Sequence, residues 1–168
     1  MRWSFALLSL ACCSASADRP SGAPAMVVRV STDFAVPTAI DALEIRVDAG
    51  GVTTFDRAYA LPADAKLPGT LTLASTGNGT PPPGNLSPGT VPAAATGATV
   101  VITIRGSLRA VPVASRSARF VMPSSQHALD LSLDAACSMI TCGDGQTCIA
   151  GACAPVDVDA SKLPGFGT

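Results

Sequence analysis

Aromatic residues, charge and several functional side chains are scarce in this 168-residue chain. Seven Phe, Tyr and Trp residues make up 4% of it. Carbohydrate and single-stranded nucleic-acid sites use exposed aromatic rings as platforms, so neither ligand class is expected. Charged residues are 14% of the chain and the net charge is −1. A nucleic-acid surface needs clustered Lys and Arg to displace counterions, and a coiled coil needs far more charge, so both are excluded. There is one histidine, His127, one glutamate, Glu44, and no Gly-rich phosphate loop or His-based metal motif. No metal or cofactor is therefore expected. No apolar run reaches the ~20 residues of a transmembrane helix. No apolar stripe of helical period exceeds two turns, and Pro37–Leu43 has room for one turn only.

What the chain does have is 29 alanines, 15 glycines, 14 prolines and six cysteines. Its length suits one domain with a small appendage. After the basic Met1-Arg2, residues Trp3 to Cys13 form an apolar run, and Ala15-Ser16-Ala17 gives the small-x-small pattern of a peptidase site. Residues 1–17 thus read as a signal peptide cleaved before Asp18, and 18–24 as a flexible tether. Leu10-Ala11-Cys12-Cys13 also resembles a bacterial lipobox, which makes Cys13 and Cys12 candidate lipidation sites. Cys12 departs from the small residue expected just before a modified Cys13, and modification at Cys12 would put Ser9 where Leu is expected. Release into the medium and lipid anchoring both fit.

From residue 25 onward the apolar residues alternate with period 2, the signature of half-buried strands. Met26, Val28 and Val30 share a face, as do Leu43, Ile45 and Val47, with a turn at Asp48–Gly51 closing a hairpin over 42–59. Further strands are expected around Leu71 and Leu73, Val100–Arg105, Val111–Met122 and Leu129–Leu133, with Pro112 at an edge or bulge. About seven short strands over residues 25–134 predict an all-β, immunoglobulin- or fibronectin-like antiparallel β-sandwich. Residues 75–97 carry five prolines and five glycines and no apolar face, so they are expected to be a disordered loop.

Cys137, Cys142, Cys148 and Cys153 follow a C-x4-C-x5-C-x4-C spacing within residues 135–155. Structural zinc sites generally use a C-x2-C knuckle, which is missing here, whereas an exported chain meets an oxidising compartment. Two disulfides are expected. Three connectivities are open, and Cys137–Cys148 with Cys142–Cys153 is favoured because interleaved bridges define a compact knob. Residues 156–168 read as a tail, its Asp157 and Asp159 solvated, because their spacing with Asp144 matches no calcium loop.

The strand HALDLSL, the knob CSMITCGDGQTCIAGAC and the acidic VDVDASKLP resemble exported and lipoprotein-like proteins of myxobacteria, and Gln146–Cys153 is similar to small EGF-like half-modules. The resemblance implies export and a β-sandwich, and it carries no catalytic residues.

A Ser-His-Asp site would have to pair His127 with Ser124, Ser125 or Asp130, none in a nucleophile-elbow context, so no enzyme is expected. His127 reads as structural or solvent-facing, and Glu44 as a surface partner of Arg46. The expected role is a cell-envelope or secreted module that acts through an unknown protein partner. The alternative is an exported inhibitor or accessory subunit of an extracytoplasmic enzyme, with the Pro/Gly loop or the knob in its cleft.

Overall fold

In a computed structural model, residues 25–74, 89–92 and 94–165 are described. The signal and tether segments, Cys12 and Cys13, and most of the 75–97 loop lie outside them. Period-2 alternation sends Met26, Val28 and Val30 of β1 (Ala25–Thr32) inward, all fully buried. Leu43, Ile45 and Val47 of β2 (Ala42–Ala49) do the same. So do Leu71 and Leu73 of β4 (Gly69–Ala74), after the mostly exposed β3 (Val52–Ala60). Val100, Ile102 and Ile104 of β6 (Thr99–Leu108), Phe120 of β7 (Val111–Val121) and Leu129, Leu131 and Leu133 of β8 (His127–Leu133) complete one core between two sheets. Of the aromatic residues, Tyr59 and Phe120 are buried, and Phe34 and Phe55 pack against the core. Among the described residues no helix is long and apolar enough to cross a membrane.

The sheets have the orders β5-β4-β1-β8 and β3-β2-β6-β7. Three differences from the sequence expectation follow from backbone pairing, which side-chain pattern does not reveal. Gly89–Pro92, placed inside a disordered loop, forms β5 along β4. An edge strand needs hydrogen bonds on one side only, so it accepts a proline that has no N–H to give. The first sheet is mixed, because β1 runs parallel to β8 and β4 parallel to β5. The knob adds a small hairpin of β9 (Gln146–Ile149) and β10 (Ala152–Pro155).

Two close contacts fix the geometry. A Cβ on Gly106 would meet Ile40 Cγ2 and Leu133 Cδ1 at 3.2 Å, so the absence of a side chain there lets the sheets approach. The β7 register slips opposite Gly106 and Ser107, at the Pro112 bulge. The β2–β3 hairpin turns on Gly50 and Gly51, both with positive φ, whereas the β6–β7 hairpin turns on Arg109 (φ 51°) and Ala110 (φ 66°). L-residues with side chains are strained in that left-handed region. The Asp41 carboxylate holds the strained turn by accepting the Arg109 N–H at 2.9 Å. Replacing the pair with Asn and Gly (Arg109→Asn, Ala110→Gly) should stabilise the domain by about 1 kcal/mol, read from urea unfolding midpoints.

Candidate functional site

β7 is the outermost strand of its sheet, so alternate N–H and C=O groups along its free edge have no strand to pair with. The segment from Ala135 to Gly165 runs along that edge and supplies partners in turn. Met139 N–H donates to the Val113 carbonyl at 2.9 Å, and Ser117 N–H donates to the buried Thr147 Oγ1 at 2.9 Å. Arg119 N–H donates to the Val156 carbonyl at 2.7 Å, and the Arg119 carbonyl accepts from Val158 N–H at 2.8 Å. The segment then crosses to the other sheet, where Ala128 N–H donates to the Pro164 carbonyl at 3.0 Å and Gly165 bridges His127.

Within the segment the cysteines pair as Cys137–Cys148 and Cys142–Cys153, with Cα separations of 5.7 and 5.6 Å. The interleaved connectivity closes two overlapping rings. Carboxylates fasten the knob to the strand ends: Asp33 accepts from Ala135 N–H, and Asp134 accepts from Ala150 N–H at 2.9 Å. The Ser132 hydroxyl and the Ala150 N–H hold the Asp134 carboxyl below the usual carboxylate range. Arg116 lies half-buried between β7 and the knob; burial lowers its guanidinium pKa, and Asp134 offsets part of that cost. One of its Nη atoms donates to the Cys148 carbonyl at 3.4 Å.

The knob's tip is Ser138–Thr141, held between cysteines of different bridges. Met139 is 77% exposed and has φ +60°, a conformation that costs a bulky residue strain. Beside it lies the exposed Ile140, and the two border a notch that Arg105, Pro112 and Ser115 also line.

The tail aspartates are solvated, with more than half of each side chain exposed, but they are not free. Asp157 makes a bidentate pair with Arg119 at 2.6 and 2.7 Å, and Asp159 takes hydrogen bonds from Ser161. Asp157 is engaged because the edge ladder brings the tail onto β7, a long-range contact that spacing alone does not encode, whereas Asp159 caps the short turn Ala160–Lys162 locally. Among the described residues no cluster of three His, Cys, Asp or Glu side chains is placed to hold a metal. Glu44 pairs with Arg105 at 3.3 Å, and Arg46 turns to Asp48. Arg105 stands directly opposite Glu44 on β6 and takes its carboxylate, while Arg46 pairs along its own strand with Asp48, so the expected Glu44–Arg46 pair does not form.

Of the three candidate partners for His127, the structure brings one. Ser125 Oγ lies 2.9 Å from His127 Nε2, while His127 Nδ1 lies 3.0 Å from the Leu163 carbonyl. Asp130 pairs instead with Arg29 at 2.8 Å. The Leu163 contact was illegible in the sequence, because any residue carries a carbonyl and only the tail's path brings this one near.

Two experiments probe the cap. The Arg119 hydrogen bonds lower the Asp157 pKa, so the stability from this pair is present above the unfolded carboxylate pKa and lost as pH falls through the folded value. Protection of the Arg119 amide, corrected for intrinsic exchange, should therefore fall on acidification, and Asp157→Asn should show low protection with little pH dependence. Removing one bridge (Cys142→Ser with Cys153→Ser) should destabilise by about 2–5 kcal/mol in thermal unfolding, with β7-edge amides losing protection before those of β1. No protein-family model, curated protein or solved structure matches the chain.

Proposed function

We propose that the chain is an exported cell-envelope or secreted β-sandwich protein that acts through protein contacts, with the disulfide knob as its contact element. The observation that carries this reading is a knob closed by two interleaved bridges and held on β7 by hydrogen bonds, from which Met139 and Ile140 stay exposed. Disulfides persist in oxidising compartments outside the cytoplasm, which agrees with the signal-like residues 1–17. An exposed apolar side chain on a rigid support loses little entropy on docking, which is the property of a binding anchor. The lipobox-like Leu10–Cys13 supports anchoring of the mature chain to a membrane, with residues 18–24 as spacer. A second reading, an inhibitor or accessory subunit of an extracytoplasmic enzyme, is favoured by one feature. The Ser138–Thr141 loop is closed at both ends by bridges, as an insertion loop for a cleft would be.

Intact mass of the protein recovered from its native envelope or medium tests the export reading. The expected species gains four hydrogens on reduction of its two bridges. A start at Asp18 would mean release, and a start at an acylated Cys13 or Cys12 would mean tethering. Four free thiols would overturn the reading. A photo-crosslinker at Met139 should give discrete protein adducts that are absent when it is placed at Asp56, on the exposed face of β3. Equal crosslinking from both positions would remove the knob as contact element.

A further inference from the structure

Ser125, His127 and the Leu163 carbonyl come from three places: the β7–β8 loop, the start of β8 and the docked tail. A carbonyl oxygen only accepts hydrogen bonds, so the proton of a neutral His127 imidazole must sit on Nδ1. Nε2 then presents its lone pair to Ser125, whose hydroxyl donates to it. A hydroxyl already aimed at a base whose far nitrogen is held by a third group is the arrangement that activates a nucleophile. Leu163 is itself fixed: its N–H donates to the Ala160 carbonyl at 3.3 Å, Ala160 is buried, and the adjacent Pro164 carbonyl is held by Ala128 N–H.

The pair opens on a groove of about 380 Å³, with apolar walls from Val121, Pro123 and Val158. Ser124 and Ser161 also line it, as does Asp159, whose carboxylate is occupied by Ser161 and Lys162 and does not compete for His127. The space suits a short, uncharged aliphatic acyl group, and the Ser124 hydroxyl is a side-chain donor on the same wall.

We propose that Ser125 and His127 form an acyl-transfer site for small esters, oriented by the tail. Ser125 Oγ attacks the ester carbonyl carbon while its proton passes to His127 Nε2. Collapse of the tetrahedral intermediate breaks the carbon–oxygen bond to the alcohol, which leaves with that proton, and the acyl group stays on Ser125. Water then gives a proton to Nε2 and attacks the acyl carbon; the acid departs and Ser125 Oγ recovers the proton. A carbonyl dipole stabilises the transient imidazolium less than a carboxylate would, so turnover should be slow and covalent labelling the more sensitive readout.

The test uses the full disulfide-bonded protein, a small alkyl fluorophosphonate and p-nitrophenyl butyrate. The expected result is a single phosphonyl adduct on the peptide carrying Ser125. It should be abolished by Ser125→Ala, retained in Ser138→Ala on the exposed knob, and slowed on the order of 10²-fold in His127→Gln. Ester hydrolysis should follow the same order. Ser125 is exposed, so its alanine variant keeps the fold, and protection of the Ala128 amide reports whether the tail stays docked in each variant. No adduct on the folded wild type, an adduct at another residue, or equal labelling of His127→Gln with the tail docked would each overturn the proposal. None of these outcomes bears on export or on the knob's contacts.

Discussion

From Ala135 to Gly165 the chain is arranged around one requirement, that the free edge of β7 be satisfied. A strand of that length with open N–H and C=O groups would recruit another strand from a neighbouring molecule. The chain answers with three unlike partners in sequence: a loop amide from Met139, a threonine hydroxyl from Thr147, and a short ladder with Val156 and Val158. The knob and tail are too small to hold their own shape by burying apolar surface, so they take it from two bridges and from β7. The opposite edge is handled differently. Arg57 of β3 stands opposite Ile45 on the core-facing side, its guanidinium 5.9 Å from the Tyr59 ring, and a charge there hinders a second strand from pairing.

The pattern of the sequence made the core legible because alternation is a local property. Leu43, Ile45 and Val47 face inward whatever lies across from them, and the same holds for Leu129, Leu131 and Leu133. What alternation leaves open is which strands become neighbours, so the parallel β1–β8 and β4–β5 pairs were not visible. β5 was hidden for a related reason: Gly-Thr-Val-Pro has no apolar rhythm, and its place depends on the edge that β4 offers. The cysteine spacing was informative because bridge formation is chemistry that few alternatives can satisfy.

The functional geometry was less readable, and His127 shows why. Its nearest sequence candidates were side chains, yet the group that orients it is a main-chain carbonyl delivered by the tail, 36 residues away. The same tail, read as solvated from its aspartates, buries Ala160 and packs Val158 and Leu163 against the core. Composition describes what a segment can do alone; the edge of β7 gave this one something to bind.

The parallel pairing of β1 with β8 also constrains time. Thr32 bonds to the Leu133 carbonyl across 101 positions, so the first strand of the domain has no complete sheet until nearly the last strand exists. Contacts that distant in sequence are reached slowly, since a long loop must close before they repay it. A chain threaded across a membrane in the extended state, as the proposed export requires, has to avoid folding before its end arrives. In this topology that delay is built into the order of the strands.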